Sequence, residues 1–315
     1  MRRVRAIGRL GVGALLLFAA PASAASINAN AGTSGAQFLK LGAGARAGAM
    51  GEAQIAAADD VYSAYYNPAG LARTLQPEAA GMHDAYFQGI AYDFAALSYP
   101  FGKDKRHVLA VSVTNLSAGS IDRRTDDTDS ALGQFGVSES AYAASYAYRA
   151  TDRLSVGGSF KWIRSALDVV TAQAQAFDAG AQYRLGDNRP LDLGVSVRNV
   201  GSALTYAQGA DPLPLTYGVG LAAHPLKGLT VALDGVQSRD TDVYYNLGVE
   251  YRAPLSAGVS AAVRGGYTSH YSAATDIKGW TGGLGLTFNR VSLDFAWIPF
   301  GDLGNTFKYS LLVKF

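Results

Sequence analysis

The sequence predicts an all-β protein, a 14-stranded antiparallel transmembrane β-barrel with an N-terminal hatch, or plug, segment. Three observations carry that reading. Apolar residues recur with period two, in segments near the length a tilted strand needs to cross a membrane. The connections between segments alternate between short and long, and the chain ends in an alternating aromatic run.

The chain opens as a secretory signal. Arg2, Arg3, Arg5 and Arg9 form a positive stretch, Leu10 to Ala20 an apolar one, and Pro21 precedes the small-residue pattern Ala22-Ser23-Ala24. The apolar run falls short of the roughly 20 residues of a spanning helix. Residues 1–24 are therefore expected to be cleaved, taking the 27 basic residues to 23 against 25 acidic ones. Without cysteine the chain has neither a disulfide framework nor the attachment point of a lipoprotein. With 49% hydrophobic residues it is not disordered. A formal charge of +2, with no basic block in the body of the chain, gives no reason to expect a nucleic-acid partner. No later apolar run reaches spanning-helix length.

Strand segments fall at 79–87, 89–100, 107–116, 137–149, 154–165, 172–185, 190–200, 214–224, 229–238, 243–252, 257–269, 280–288, 291–298 and 305–315. In one of them Tyr245, Leu247, Val249 and Tyr251 alternate with Asn246, Gly248, Glu250 and Arg252. In another, Leu191, Leu193, Val195 and Val197 alternate with Asp192, Gly194, Ser196 and Arg198. One face of each segment suits lipid and the other is polar or small. The connections Arg149 to Arg153, Gly186 to Arg189, Pro225 to Gly228 and Asn289-Arg290 are short, whereas Ser117 to Gly136, Gly201 to Leu213 and His270 to Gly279 are longer. Short turns belong to the periplasmic side of such a barrel, and both termini are expected there. A soluble β-sandwich alternates in the same way. Tyr92, Trp162, Trp297 and Tyr309, near strand ends on the apolar face, favour a barrel with aromatic girdles. The last residues, Phe307, Tyr309, Leu311, Val313 and Phe315, resemble the signal read by the outer-membrane barrel assembly machinery. That machinery and outer-membrane lipid are the expected partners.

Residues 25–77 are expected to form the hatch inside the lumen, and 78–315 the barrel. Between 35 and 72, Gly42, Gly44, Gly48 and Gly51 alternate with alanines and Arg46. Glycine at that density costs a helix about 1 kcal/mol per residue. Small residues suit a segment threaded through a confined space, and Asn67-Pro68-Ala69-Gly70-Leu71 reads as a turn.

The run Phe38-Leu39-Lys40-Leu41-Gly42, then Gly44-Ala45-Arg46, Met50-Gly51 and Ala58-Asp59-Asp60, ends in Tyr66-Asn67-Pro68-Ala69-Gly70-Leu71-Ala72. It resembles the hatch of the PorV/PorQ family, within the FadL-like outer-membrane transport proteins. The likeness continues through Tyr92-Asp93-Phe94-Ala95, Asp152 to Gly158, Asp211-Pro212-Leu213-Pro214-Leu215 and Trp297 to Gly304. It covers essentially the whole chain after the signal. Fourteen strands is also that superfamily's number.

Signatures of catalysis are missing. His83, His107, His224 and His270 are scattered, with no pair at i,i+4 spacing, so no metal site is expected. There is no complete G-x-S-x-G or P-loop, and Ala47 breaks the dinucleotide spacing of Gly42, Gly44 and Gly48. Asp122, Asp126, Asp127 and Asp129 lack the glycine and distal glutamate of a calcium loop and read as a solvated outer loop. The chain is expected to be no enzyme and to carry no cofactor.

The charges on the inner face are Lys161, Asp178, Arg184, Asp192, Arg198, Asp234, Glu250, Arg252, Arg264, Asp294 and Lys308. A basic residue facing lipid at the midplane costs about 2–4 kcal/mol, so these point into the lumen. Their mixed signs favour a network bracing the hatch over a path for a charged solute. The resemblance implies two functions. One is a conduit for hydrophobic compounds such as long-chain fatty acids, with Leu39, Leu41, Met50 and Ile55 as apolar lining and Asn67-Pro68-Ala69 as the hatch hinge. The other is a docking or shuttle barrel for type IX protein secretion, working through its outer loops. The corresponding partners are a hydrophobic ligand or secretion-machinery proteins.

Overall fold

The computed structural model describes residues 28–127, 129–187, 190–206, 209–271, 279–300 and 304–315. The expected signal peptide lies outside these residues, as do parts of the connections 186–189, 201–213 and 270–279 and of the motif at 297–304.

The strands are β1 (Glu78–Ala85), β2 (Ile90–Phe101), β3 (His107–Arg123), β4 (Gly133–Arg149), β5 (Leu154–Leu167), β6 (Val170–Leu185) and β7 (Leu191–Gly201). After the short pair β8 (Leu204–Tyr206) and β9 (Gly209–Asp211) come β10 (Thr216–Leu226), β11 (Leu229–Ser238), β12 (Tyr244–Ser256) and β13 (Val259–Thr268). The last three are β14 (Trp280–Phe288), β15 (Val291–Pro299) and β16 (Asn305–Lys314). All except β8 and β9 close into one barrel of 14 antiparallel strands, each beside its sequence neighbour. The seam joins β1 to β16 from Glu78–Lys314 to Ala85–Phe307. Closure leaves no sheet edge unpaired, which a lipid environment requires. The outward positions hold Leu97, Val219, Val263, Leu284 and Leu293, all more than half exposed. A soluble monomer does not sustain so continuous an apolar belt.

Four outcomes differ from the sequence reading. First, β3 and β4 each run 17 residues and β5 and β6 run 14 and 16, so the expected 20-residue connection Ser117 to Gly136 shrinks to 124–132. The sequence pattern breaks off where outward residues turn polar (Asn115, Ser117, Ser138, Ser140), but a hydrogen-bonded ladder continues without lipid contact. A wall therefore rises on the long-loop side, about six residues, or roughly 20 Å of chain, beyond what a crossing needs.

Second, the expected loop 201–213 folds back as the β8–β9 hairpin, with Leu204 and Leu213 buried. Third, Tyr92 is not in a girdle: it is fully buried in the lumen, on the same face of β2 as Phe94 and Ala96. The inner face is apolar there because it meets aromatic hatch residues, so polarity alone assigned the wrong side. Trp162 and Tyr309 do face outward. Fourth, Asn28 donates from Nδ2 to Asp242 (3.0 Å) and the Gly35 N–H to the Pro212 carbonyl (3.0 Å), both at the long-loop rim. The first described residues therefore lie at the long-loop rim and the last, Phe315, at the short-turn rim, because the hatch threads through the lumen before β1 starts.

Candidate functional site: the plugged lumen

Residues 34–74 fill the lumen as a chain of short turns rather than the featureless coil their glycines suggest. They form α1 (Ala45–Ala49), α2 (Ser63–Tyr66) and 3-10 turns at Gln37–Lys40 and Pro68–Arg73. Gly44 and Gly51, at φ 93° and 60°, let α1 start and stop within five residues. Asn67 caps the second 3-10 turn, its Oδ1 accepting the Ala69 N–H at 3.2 Å ahead of Pro68. Its Nδ2 donates to the carbonyls of Ile55 (2.8 Å) and Ala181 (3.2 Å), and the residue is fully buried. The Asn67-Pro68-Ala69 segment, expected as a hinge, is therefore a clamp. Every hydrogen-bonding group of Asn67 is spent on the wall or the hatch. Gly70 behind it packs against the Ala58 carbonyl.

The wall receives the hatch on inward glycines. A Cβ on Gly157 would lie 2.5 Å from the Pro68 carbonyl carbon, and one on Gly248 2.6 Å from the Met50 oxygen. Gly194 and Gly220 meet Ile55, and Gly266 meets Gly51. Backbone meets backbone around the circumference, as only glycine permits. Met50 and Ile55, expected to line a path, are instead buried in these contacts, and Leu39 is buried in an apolar cluster with Phe38 and Tyr65, with Leu41 partly buried against it.

Ion pairs tie the same segment down. Arg46 in α1 bonds Glu250 through Nε and Nη2 (3.1 Å each), and its Nη1 reaches Asp59 (2.6 Å) and Asp60 (3.5 Å). Glu250 also takes Arg264 at 2.6 Å, which bridges on to Asp294 at 2.7 Å. Burial lowers the Arg46 pKa, but Glu250, Asp59 and Asp60 outweigh it, so the guanidinium stays charged. Lys308 donates to the carbonyls of Leu41 (2.8 Å) and Gly42 (3.1 Å) and pairs with Glu52 (3.2 Å), which also accepts the Tyr66 hydroxyl. Asp234 accepts the N–H groups of Gln54 (2.7 Å) and Ile55 (2.9 Å). Asp192 joins Arg73 of the hatch (2.7 Å) to Arg184 (2.9 Å), and Arg198 donates to the Tyr65 carbonyl (3.4 Å). Lys161 and Asp178 pair with each other at 2.6 Å. The inner charges thus converge on the hatch, apart from that last pair. Phe38 is buried in an apolar cluster with Tyr62, Tyr65, Tyr66, Tyr92 and Phe94.

Several participants were missed in the sequence. Glu52 and Asp240 lie in stretches without periodicity. Glu78 and Asp84 share the inward side of β1 with Met82, and that alternation was the available signal. Alternation placed Gly194 and Gly248 on the inward face, but nothing in it marked them as the points where hatch backbone lands.

Asp240 holds the entry of the hatch, pairing with Lys40 (2.9 Å) and accepting from Gln37 (2.7 Å). Burial raises its pKa, but the bonds from Gln37 and Lys40 outweigh that and leave it depressed. A depressed carboxylate stabilises fully above its unfolded value, about 3.9, and loses that contribution as pH falls through the folded value. Hydrogen exchange at residues 36–41, corrected for its intrinsic pH dependence, should accelerate only below about pH 4. In Asp240→Asn it should already be fast at pH 7. Equal exchange in the two proteins would remove Asp240 as an anchor.

These features define a class: an outer-membrane β-barrel whose lumen is closed by its own N-terminal segment. The family model described as "Type IX secretion system protein PorV" matches residues 24–184, just over half of the chain. The chain belongs to the PorV family. Its fold is that of FadL-like barrels. The Ralstonia pickettii toluene transporter TbuX superposes with a TM-score of 0.59 at 14% identity, covering 87% of this chain and 98% of TbuX. The CymD monoaromatic hydrocarbon channel gives 0.63 at 14% identity over 87% and 98%. A Pseudomonas aeruginosa FadL homologue gives 0.56 at 11% identity over 86% and 98%. Among curated proteins, no sequence matches. The family and these structural neighbours are secretion, transport and channel proteins.

Proposed function

We propose that the protein is an outer-membrane conduit for small hydrophobic compounds, such as long-chain fatty acids or monoaromatic hydrocarbons, gated by its hatch. The observation that carries this reading is the asymmetry of the lumen. Its long-loop half holds the apolar cluster of Phe38, Tyr65, Tyr92, Phe94, Ile163 and Leu204, while Arg73, Arg184, Asp192 and Glu78 gather toward the short-turn end. These side chains are buried against the hatch, so displacing the ion-paired hatch opens an aromatic-walled path to an apolar molecule from outside. The reading assigns no catalysis and no cofactor to the chain. It includes export through a signal peptide cleaved near Ala24 and insertion by the barrel assembly machinery, guided by Phe307 to Phe315. Deleting the gene should lower uptake of radiolabelled oleate or toluene severalfold, and re-expression should restore it. Unchanged uptake of both compounds would sink this reading.

A second reading, a docking or shuttle barrel for type IX secretion, is favoured by the family match and by the wall that β3–β6 raise on the long-loop side. Outward Ser117, Ser138, Arg164 and Gln173 give that wall a polar face suited to protein contact. Native mass spectrometry of gently extracted barrel should then show a co-purifying exported protein, lost when 124–132 is replaced by a short turn.

A further inference from the structure

One buried cation in the lumen forms no contact ion pair among the described residues. Arg198 on β7 is 8% exposed and faces the hatch. Its Nη1 makes one long bond to the Tyr65 carbonyl (3.4 Å), its guanidinium lies 5.6 Å from the centre of the Tyr65 ring, and its Nε has no partner. Among the described residues no carboxylate forms an ion pair with it. Asp234 acts on it only through space: one carboxylate oxygen takes the amides of Gln54 and Ile55, and the other has no hydrogen-bond partner. Burying a guanidinium without an anion is among the costliest arrangements in a protein interior.

Beside Arg198 lies a cavity of about 30 Å³, lined also by Lys40, Glu52, Tyr66, Asn246 and His270. Its other charges are matched: Lys40 by Asp240 at 2.9 Å and Glu52 by Lys308 at 3.2 Å. Burial, with Lys40 nearby, pushes the His270 imidazole down to about 4, so it is uncharged at neutral pH. Arg198 therefore offers a charged donor, Nε, without a partner or a contact anion, next to a space for one water-sized species.

We propose that this cavity is a binding site for a single monovalent anion of chloride's size, held at Arg198 Nε, which fastens the hatch to β7 and β12. A water molecule fits the space but sets no negative charge in contact with the guanidinium. The anion would touch the hatch at Lys40 and Tyr66 and the wall at Arg198 and Asn246, so its loss loosens the contact between them. This site stands whichever solute or partner the barrel serves.

Crystals of the whole protein grown in sodium bromide test it. An anomalous peak within hydrogen-bond distance of Arg198 Nε is the expected result, absent in Arg198→Leu. In detergent, the unfolding temperature should rise by a few degrees in chloride or bromide over gluconate at equal ionic strength. Arg198→Leu should show no such difference, and Arg198→Lys, which lacks Nε, a smaller one. The wild-type measurement decides even if the variants fail to fold. No anomalous peak, or identical unfolding in bromide and gluconate, overturns the proposal.

Discussion

Gly157→Leu opens the barrel without unfolding it. Gly157 faces inward from β5, paired with Ala147 on β4 and Gly180 on β6. A Cβ there would stand 2.5 Å from the Pro68 carbonyl carbon, 2.6 Å from its oxygen and 2.7 Å from the Ala69 nitrogen. These are backbone atoms of a capped turn and cannot swing aside as a side chain would. Relief comes from withdrawal of the hatch, since the strand is held by both neighbours. Overpacking of this kind costs about 1–3 kcal/mol. That raises the detached population roughly 5- to 150-fold. Single-channel currents in planar bilayers should pass from rare openings to frequent ones, while the gel band of the folded barrel persists. Gly265→Leu is the control, because a Cβ there meets nothing within 4 Å. A Gly157→Leu barrel that stays folded and closed would show that this contact does not seal the lumen.

The larger effect on stability is expected at Lys308. It is 2% exposed, and one ammonium group serves two hatch carbonyls, Glu52 and, at 3.9 Å, Asp84. Neither oxygen of Asp84 has another partner. Lys308→Met leaves two carboxylates without their cation, and breaking a buried pair from one side costs about 3–5 kcal/mol. The unfolding temperature should fall sharply and the hatch should become open to protease. Adding Glu52→Gln and Asp84→Asn should recover much of the loss, because the cost lies in the stranded charges. If the triple variant is as unstable as Lys308→Met, the lysine acts through its hydrogen bonds to the Leu41 and Gly42 carbonyls rather than through its charge.

Much of the barrel was legible. The alternation in 243–252 and 291–298 located β12 and β15 to within a few residues, because a strand between lipid and lumen must change polarity at every step. The same rule failed at Tyr92, where the apolar face turns inward to the hatch while Asp93 turns outward, and at β3 and β4 above the membrane, where neither face needs to be apolar. The hatch was legible as a confined segment from its small residues. Its internal turns were not, since Gly44, Gly51 and Asn67 act through positive φ and capping rather than through periodicity.

By itself, the sequence determined the number of barrel strands, the facing of those that alternate between lipid and a polar lumen, and which charges point inward: Glu250, Arg264, Asp294 and Lys308 have no tolerable place in lipid. Only the tertiary structure decided what those charges hold. Arg46 meets Glu250 across 204 residues, Lys308 meets Leu41 across 267, and Gly157 meets Pro68 because barrel closure brings β5 against the returning hatch. A local pattern records the medium a side chain faces, and that is a property of one strand. Which partner it finds there depends on how all the strands close around the segment threaded between them.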